Sequence, residues 1–362
     1  MLQTLQTPDS VAGRWRDAVD AVPGYEVVED GKIFRTSFLD SYVFSSEHDR
    51  ALGLLRGMMA LHEGRAVRHA LPGREVETAF GPAWCIEKRT GVPDHHPDRD
   101  LVRHHLLGNL RLLPGIGPVT EKRLRDRGYR SIPDLADHRR FGGVAGDFLR
   151  ELDEGGTGAL AGWIARRYLR SHPVALAPCG LHRRDELVFL DIETLGIFSR
   201  PIILIGIGRL AGSTLATSQY LVREISEEPA ALNAALEDLL GEGAALVSFN
   251  GKSFDVPYIG ERAAYYGMPV RIDRPHFDLL HFSRRRWGTS LPDCRLSTLE
   301  REVFGISREV DIPGSLVPEF YEVFLRTGNC GPLVPIVDHN RQDLVTLGFL
   351  LPALLEDLHA RS

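Results

Sequence analysis

Lysine is nearly missing from this chain. Four occur in 362 residues (Lys32, Lys88, Lys122, Lys252), so 39 of the 43 basic residues are Arg. A G+C-rich coding sequence produces that skew without any selection for phosphate forks, so it carries no argument for them. A basic surplus is missing too. Formal net charge is −6 and the pI is about 6.2, which removes bulk attraction for nucleic acid. Phosphate binding is left to local basic patches, helix N-termini or bound metal. Cysteine is sparse: Cys85, Cys179, Cys294 and Cys330 stand far apart with no C-x-x-C pair. That spacing supports neither a disulfide framework nor a thiolate metal cluster. No apolar run reaches the ~18–20 residues of a membrane span. The N-terminus (MLQTLQTPDSVAGRW) lacks the cationic-then-apolar order of an export signal. The expectation is a cytoplasmic protein with reduced thiols. Nothing in the sequence fixes its oligomeric state.

What is present suits a globular protein. Hydrophobic residues make up 43% and charged residues 25%, enough apolar material for sizeable cores. The length exceeds one ordinary domain. Residues 1–105 read as an α+β region of unassigned role. Tyr25–Val28 and Ile33–Phe38 flank Asp30-Gly31 as a hairpin, His48–His62 has helical apolar spacing, and Val76–Lys88 is strand-like. His95 and His96 follow Pro93-Asp94 in an expected loop and His104 and His105 sit on an expected helix, where adjacent positions diverge, so all four read as solvated.

Residues 106–172 form a second, helical unit. In Leu110–Leu135 (LRLLPGIGPVTEKRLRDRGYRSIPDL) one helix ends at Pro114 and Gly115-Ile116-Gly117 turns tightly. A second helix runs from about Val119 to Arg127, and Gly128 stops it. Gly115 and Gly117 have no Cβ to block a phosphate from backbone N–H groups. Lys122, Arg123 and Arg125 lie just behind and could add charge to a sequence-independent grip.

After a linker at 175–184 the pattern changes to α/β. Strands are expected over Glu186–Leu190, Ile202–Leu210 and Ser218–Val222. A helix over Ala230–Leu240 follows, then a strand over Ala245–Phe249. Further helices are expected through Tyr258–Tyr266, Phe277–Arg285, Leu296–Val303 and Asn340–His359. Within this third region three segments carry spaced acids. Leu187–Thr194 (LVFLDIET) puts Asp191 and Glu193 on one side of a strand by period-two alternation. Leu246–Ile259 (LVSFNGKSFDVPYI) places Asp255 where a helix starts after a turn. Asp338–Leu344 (DHNRQDL) stacks His339 and Asp343 one helical turn apart. Gathering like charges in one cleft needs a compensating reason. Divalent cations are the usual one, and two cations on carboxylates suit phosphodiester cleavage.

Taken together, the three segments resemble the DEDD superfamily of 3′–5′ exonucleases. Phe249–Tyr258 is most similar to the N-G-x-x-F-D-x-P-Y motif of family B polymerase proofreading domains. Cys294–Glu300 (CRLSTLE), Asp311–Gly314 (DIPG) and His339–Asp343 (HNRQD) resemble the YprB-like group of bacterial ribonuclease-H-like exonucleases. The likeness covers residues 183–360 and implies a ribonuclease-H-like mixed sheet flanked by helices in 183–362. Separately, 106–172 resembles a helix-hairpin-helix unit.

Carried over by residue, the resemblance implies that Asp191 bridges two Mg²⁺ or Mn²⁺ ions. Glu193 and Asp343 would complete the ion that activates water, and Asp255 would hold the second ion largely through water. His339 would orient or deprotonate the attacking water. Thr194 and Leu195 would wedge the terminal nucleotide; Asn250, Lys252 and Phe254 in the turn, and separately Gly115, Gly117 and Lys122 of the helical unit, are candidate substrate contacts. One departure stands out: the His subclass places its His five positions before the last Asp, and here the offset is four, as for the Tyr of the other subclass. The implied activity is a metal-dependent 3′–5′ exonuclease on single-stranded or frayed nucleic acid, DNA favoured. RNA trimming and a non-catalytic nucleic-acid-binding scaffold are the alternatives.

Overall fold

A computed structural model of the chain describes residues 38–94, 98–196, 199–308 and 311–360. The hairpin expected around Asp30-Gly31, and His95 and His96, lie outside them. The described residues fall into two units, divided after Leu61. The first contains helix α1 (Phe38–Leu61), which includes most of the expected 48–62 helix. Everything below concerns the second.

Its centre is a seven-stranded mixed sheet in the order β1-β2-β5-β4-β3-β6-β7. The strands are β1 (Arg74–Thr78), β2 (Gly81–Gly91), β3 (Leu187–Thr194), β4 (Ile202–Ala211), β5 (Thr214–Leu221), β6 (Ala245–Ser248) and β7 (His276–Asp278). β1 to β5 pair antiparallel, while β6 runs parallel to β3 and β7 parallel to β6. Residues 74–91 are expected from the sequence in an N-terminal region apart from the α/β domain. In the structure they extend its sheet, with Cys85 opposite Tyr220 on β5. Pairing across some 130 residues leaves no local sequence trace.

Helices follow the chain as α2 (Arg99–Gly108), α3 (Pro118–Asp126), α4 (Gly142–Asp153), α5 (Gly156–Ala165), α6 (Glu228–Leu239), α7 (Asp255–Tyr265), α8 (Leu280–Trp287), α9 (Val317–Thr327) and α10 (Leu333–Ala360). α3 starts with Pro at its first position, where the missing N–H costs nothing. Gly128 just beyond its end has φ +94°, a conformation that favours glycine. The segment expected as one helix over 277–285 divides into β7 and α8. The segment over 296–303 divides into a helical turn at Leu296–Leu299 and a wider turn at Glu300–Phe304.

Alternation along β3 sorts the two faces. Val188, Leu190 and Ile192 join one apolar cluster with α6 and α7. Leu187 and Phe189 point the other way, into a cluster with Leu344, Leu347, Leu351 and Leu354 of α10. Residues of the 106–172 unit, including Leu110, Ile116, Phe148 and Ile164, belong to that second cluster. Each fully buried side chain of this size contributes about 1.5–3 kcal/mol, so α10 is firmly seated against β3, β4 and β5. By the same alternation, Asp191 and Glu193 continue the face that α10 covers.

Candidate active site

Asp191 and Glu193 occupy the C-terminal end of β3, where β3–β6 pairing has already stopped at Phe189–Val247. Such ends, next to a change in strand direction, are where open α/β sheets put ligands. The neighbouring backbone N–H of Ile192 donates to Asp255 Oδ1 at 3.1 Å. Asp255 is brought there by the turn after β6, in which Asn250 adopts φ +69°. Asp278, buried at the end of β7, braces that turn by accepting from the N–H groups of Asn250 (2.8 Å) and Lys252 (3.1 Å). Gly251 is needed here: a Cβ on it would collide with Ser248 Oγ and press to 3.2 Å from Asp255 Oδ2.

α10 supplies the other half. Asn340, fully buried, donates Nδ2 to both the carbonyl oxygen (3.0 Å) and Oδ2 (2.7 Å) of Asp191. Gln219 on β5 orients it by donating to its Oδ1 at 2.8 Å. Gly206, opposite Asp191 on β4, makes the approach feasible, because a Cβ at 206 would run into the Asn340 amide. His339 Nε2 lies 4.0 Å from Glu193 Oε1 and 3.7 Å from Asp343 Oδ2, and its Nδ1 lies 2.6 Å from Asp311 Oδ1. Arg308 bonds Asp343 Oδ1.

The electrostatics are those of crowded, dehydrated carboxyls. Burial pushes Asp191 well above the usual carboxylate range, and the charges of Asp343, Glu193 and Asp255 push it further. Glu193 is raised to about 8, chiefly by burial. Asp255 is raised to about 7, again chiefly by burial and against the Ile192 N–H bond. Burial would lower His339, but Asp343, Asp311 and Glu193 overcome it and raise the imidazole to about 9.

The residues expected at the site therefore divide. Asp191, Glu193, Asp255, His339 and Asp343 come together in one cluster. Thr194 and Leu195 lie just past it, where the register of β3 shifts. Thr194 Oγ1 donates to Gly196 O, and Leu195 N–H to Pro201 O. Asn250 and Lys252 form the braced turn, and the Phe254 ring lies 5.2 Å from that of Tyr258. Gly115 (φ +84°) and Gly117 sit in the turn before α3, with Lys122 and Arg123 exposed on it. Arg125, expected to add charge there, is instead tied to Glu121 and to Gly108 O. Asn340, Arg308, Asp311, Glu300 and Gly206 have no assigned role in the sequence reading. Asn340 follows His339 inside the HNRQD motif, which is the local sign of its position.

An oxygen-only donor set with unbalanced negative charge fits a hard divalent cation. Hydrogen bonds to Asp191, Asp255 and Asp343 each use a single carboxylate oxygen. Among the described residues, no three His, Cys, Asp or Glu side chains form a ready coordination sphere. Also among them, no helix is long and apolar enough to cross a membrane.

Residues 188–355 match the family model of the RNase_H superfamily. The uncharacterized protein YprB of Bacillus subtilis (strain 168) is 31% identical over 171 residues, 46% of this chain and 41% of that protein. The match thus spans about two fifths of that relative's length. By fold and by sequence, residues 188–355 are a ribonuclease-H-like domain similar to a part of YprB.

Proposed function

We propose that this protein is a divalent-metal-dependent 3′–5′ exonuclease acting on single-stranded or frayed nucleic acid ends, with DNA the favoured substrate. One observation carries the reading. Carboxylates from β3, the start of α7 and the middle of α10 converge on one largely buried cluster that His339 Nε2 also faces, where burial first and neighbouring charges next raise Asp191, Glu193 and Asp255. Folding spends stability to build such a cluster, and a cation-dependent reaction accounts for the cost.

Asp191, Glu193, Asp255 and Asp343 would hold two Mg²⁺ or Mn²⁺ ions. When bound, such ions supply charge stabilisation at the attacking and leaving oxygens of an in-line displacement. Asn340 keeps Asp191 from rotating away from the other acids. Cations held there would offset the negative field around His339, and the imidazole would serve to take a proton from water. Thr194 and Leu195 flank the acids and would meet the 3′-terminal nucleotide. The turn around Gly115 and Gly117, with Lys122, would grip backbone phosphates as a helix-hairpin-helix does.

The test is a gel of 5′-labelled DNA and RNA strands incubated with Mg²⁺, Mn²⁺ or EDTA. A ladder shortening from the 3′ end with either metal, and none in EDTA, is expected, with DNA degraded faster. Preferential RNA laddering would shift the substrate class, and cleavage unaffected by EDTA would remove the mechanism.

A further inference from the structure

Between the turn at Glu300–Phe304 and α9, the chain places two charged side chains against the cluster that the reading above does not use. Arg308 has a side chain only 7% exposed. Its Nε and Nη2 grip Glu300 Oε2 and Oε1 at 2.6 and 2.7 Å, and Glu300 is itself 1% exposed. Arg308 Nη1 reaches Asp311 Oδ1 at 3.1 Å, and Nη2 also reaches Asp343 Oδ1. The guanidinium is a rigid fork anchored on Glu300 and aimed at both Asp311 and Asp343.

Two groups compete for His339 Nδ1. Asp311 Oδ1, an acceptor, lies 2.6 Å away, and Arg308 Nη1, a donor, lies 3.1 Å away. The competitors select opposite tautomers. Facing Asp311, Nδ1 carries the proton and Nε2 presents its lone pair toward Glu193 and Asp343. Facing Arg308 alone, Nδ1 would accept and the neutral ring would carry its proton on Nε2, useless for taking another from water. The shorter contact decides, and Arg308 spends Nη1 on Asp311 instead.

We infer that Asp311, held in place by Arg308, is a positioning residue that fixes the tautomer and ring plane of His339 so that Nε2 faces the carboxylate cluster as a proton acceptor. This rests on the nuclease reading for its catalytic consequence, but the hold on Nδ1 stands independently.

The experiment therefore has two arms, both on the full chain. In the first, metal-free protein labelled with ¹⁵N-histidine is followed through a pH titration until the imidazole is neutral. The His339 signals are assigned by their loss in His339→Ala. Wild type should show a protonated Nδ1 and an unprotonated Nε2, and Asp311→Ala should show the reverse or an averaged pair. In the second arm, Asp311→Ala should lower kcat about 10–100-fold with KM changed less than about twofold. In a His339→Ala background the same change should cost less than about threefold, because its effect passes through the imidazole. The isosteric Asp311→Asn covers failure of the alanine variant to fold, and should fall between the two. An unchanged Nδ1 proton in the Asp311 variants would overturn the proposal, as would equal kcat losses in both backgrounds. If the wild type cleaves nothing, the nuclease reading fails while the first arm still decides what Asp311 does.

Discussion

The β3–α7 half and the α10 half of the acidic cluster are fastened by different chemistry. Asp191 and Asp255 are held by neutral amides, from Asn340 Nδ2 and the Ile192 N–H. Asp343 and His339 are held by ions, Arg308 and Asp311. A neutral donor fixes an oxygen without cancelling its charge, so the β3–α7 side remains costly to ionise. Burial, which these neutral bonds oppose but do not outweigh, raises Asp191 well above the usual carboxylate range and Asp255 to about 7. On the α10 side a full positive charge is already built in. Under the proposed reading, the contrast would put the demand for external cations on the β3–α7 side and the setting of side-chain direction on the ionic network.

The largest consequence is catalytic. Asp191→Ala should lower kcat on the order of 10³-fold or more while oligonucleotide binding changes little, read by single-turnover cleavage alongside a binding titration. Surviving turnover would show that the β3–α7 side is not where the cations are needed.

Stability should separate the halves next. Arg308→Met leaves Glu300 buried without its counter-charge and should cost about 3–5 kcal/mol by urea unfolding. Asn340→Ala takes the shared amide donor from the carbonyl oxygen and Oδ2 of Asp191 and should cost about 1–3 kcal/mol. Equal losses would dissolve the distinction drawn above.

The pH dependence sharpens it further. Glu193, Asp255 and His339 all have folded values raised above ordinary ones, to about 8, about 7 and about 9. Groups raised in this way stabilise the fold below their unfolded values, about 4 for the acids and about 6.5 for His. The contribution fades as pH climbs through the folded ones. EDTA-treated protein should therefore lose Tm steadily from about pH 5 to pH 9, by about 2–4 °C for each kcal/mol lost. Mg²⁺ should flatten the slope by replacing the protons. A Tm that instead rises over this range would contradict the buried-acid picture.

Smallest is the effect expected at the helical unit. Lys122→Gln should reduce the slope of log binding against log salt by about 1 and leave kcat at saturation unchanged. An unaltered slope would make residues 106–172 a packing module for the sheet.

How much of this was readable beforehand follows from the range of each interaction. The five central residues could be named because each sits in a local pattern: alternation on β3, an acid opening α7, an i, i+4 pair on α10. Asn340 could not be assigned, because its partner is 149 residues away and nothing local announces that α10 crosses β3. Arg308 looks like an ordinary loop charge, and Asp311 opens a motif with no stated role, until Glu300 and His339 are seen to close around them. The β1–β2 hairpin was legible as strand-like, while its addition to the far side of β5 was not. Pairing partners are a property of the whole chain.

Position 206 shows how little space separates a working arrangement from a failed one. The hydrogen that serves glycine as a side chain leaves a slot one methyl deep in the fourth strand, and the carboxamide of the last helix plugs into it. Saturation mutagenesis there should return a single tolerated letter. Alanine, the mildest possible change, would unseat the helix from the acid it steadies without touching any ionisable group.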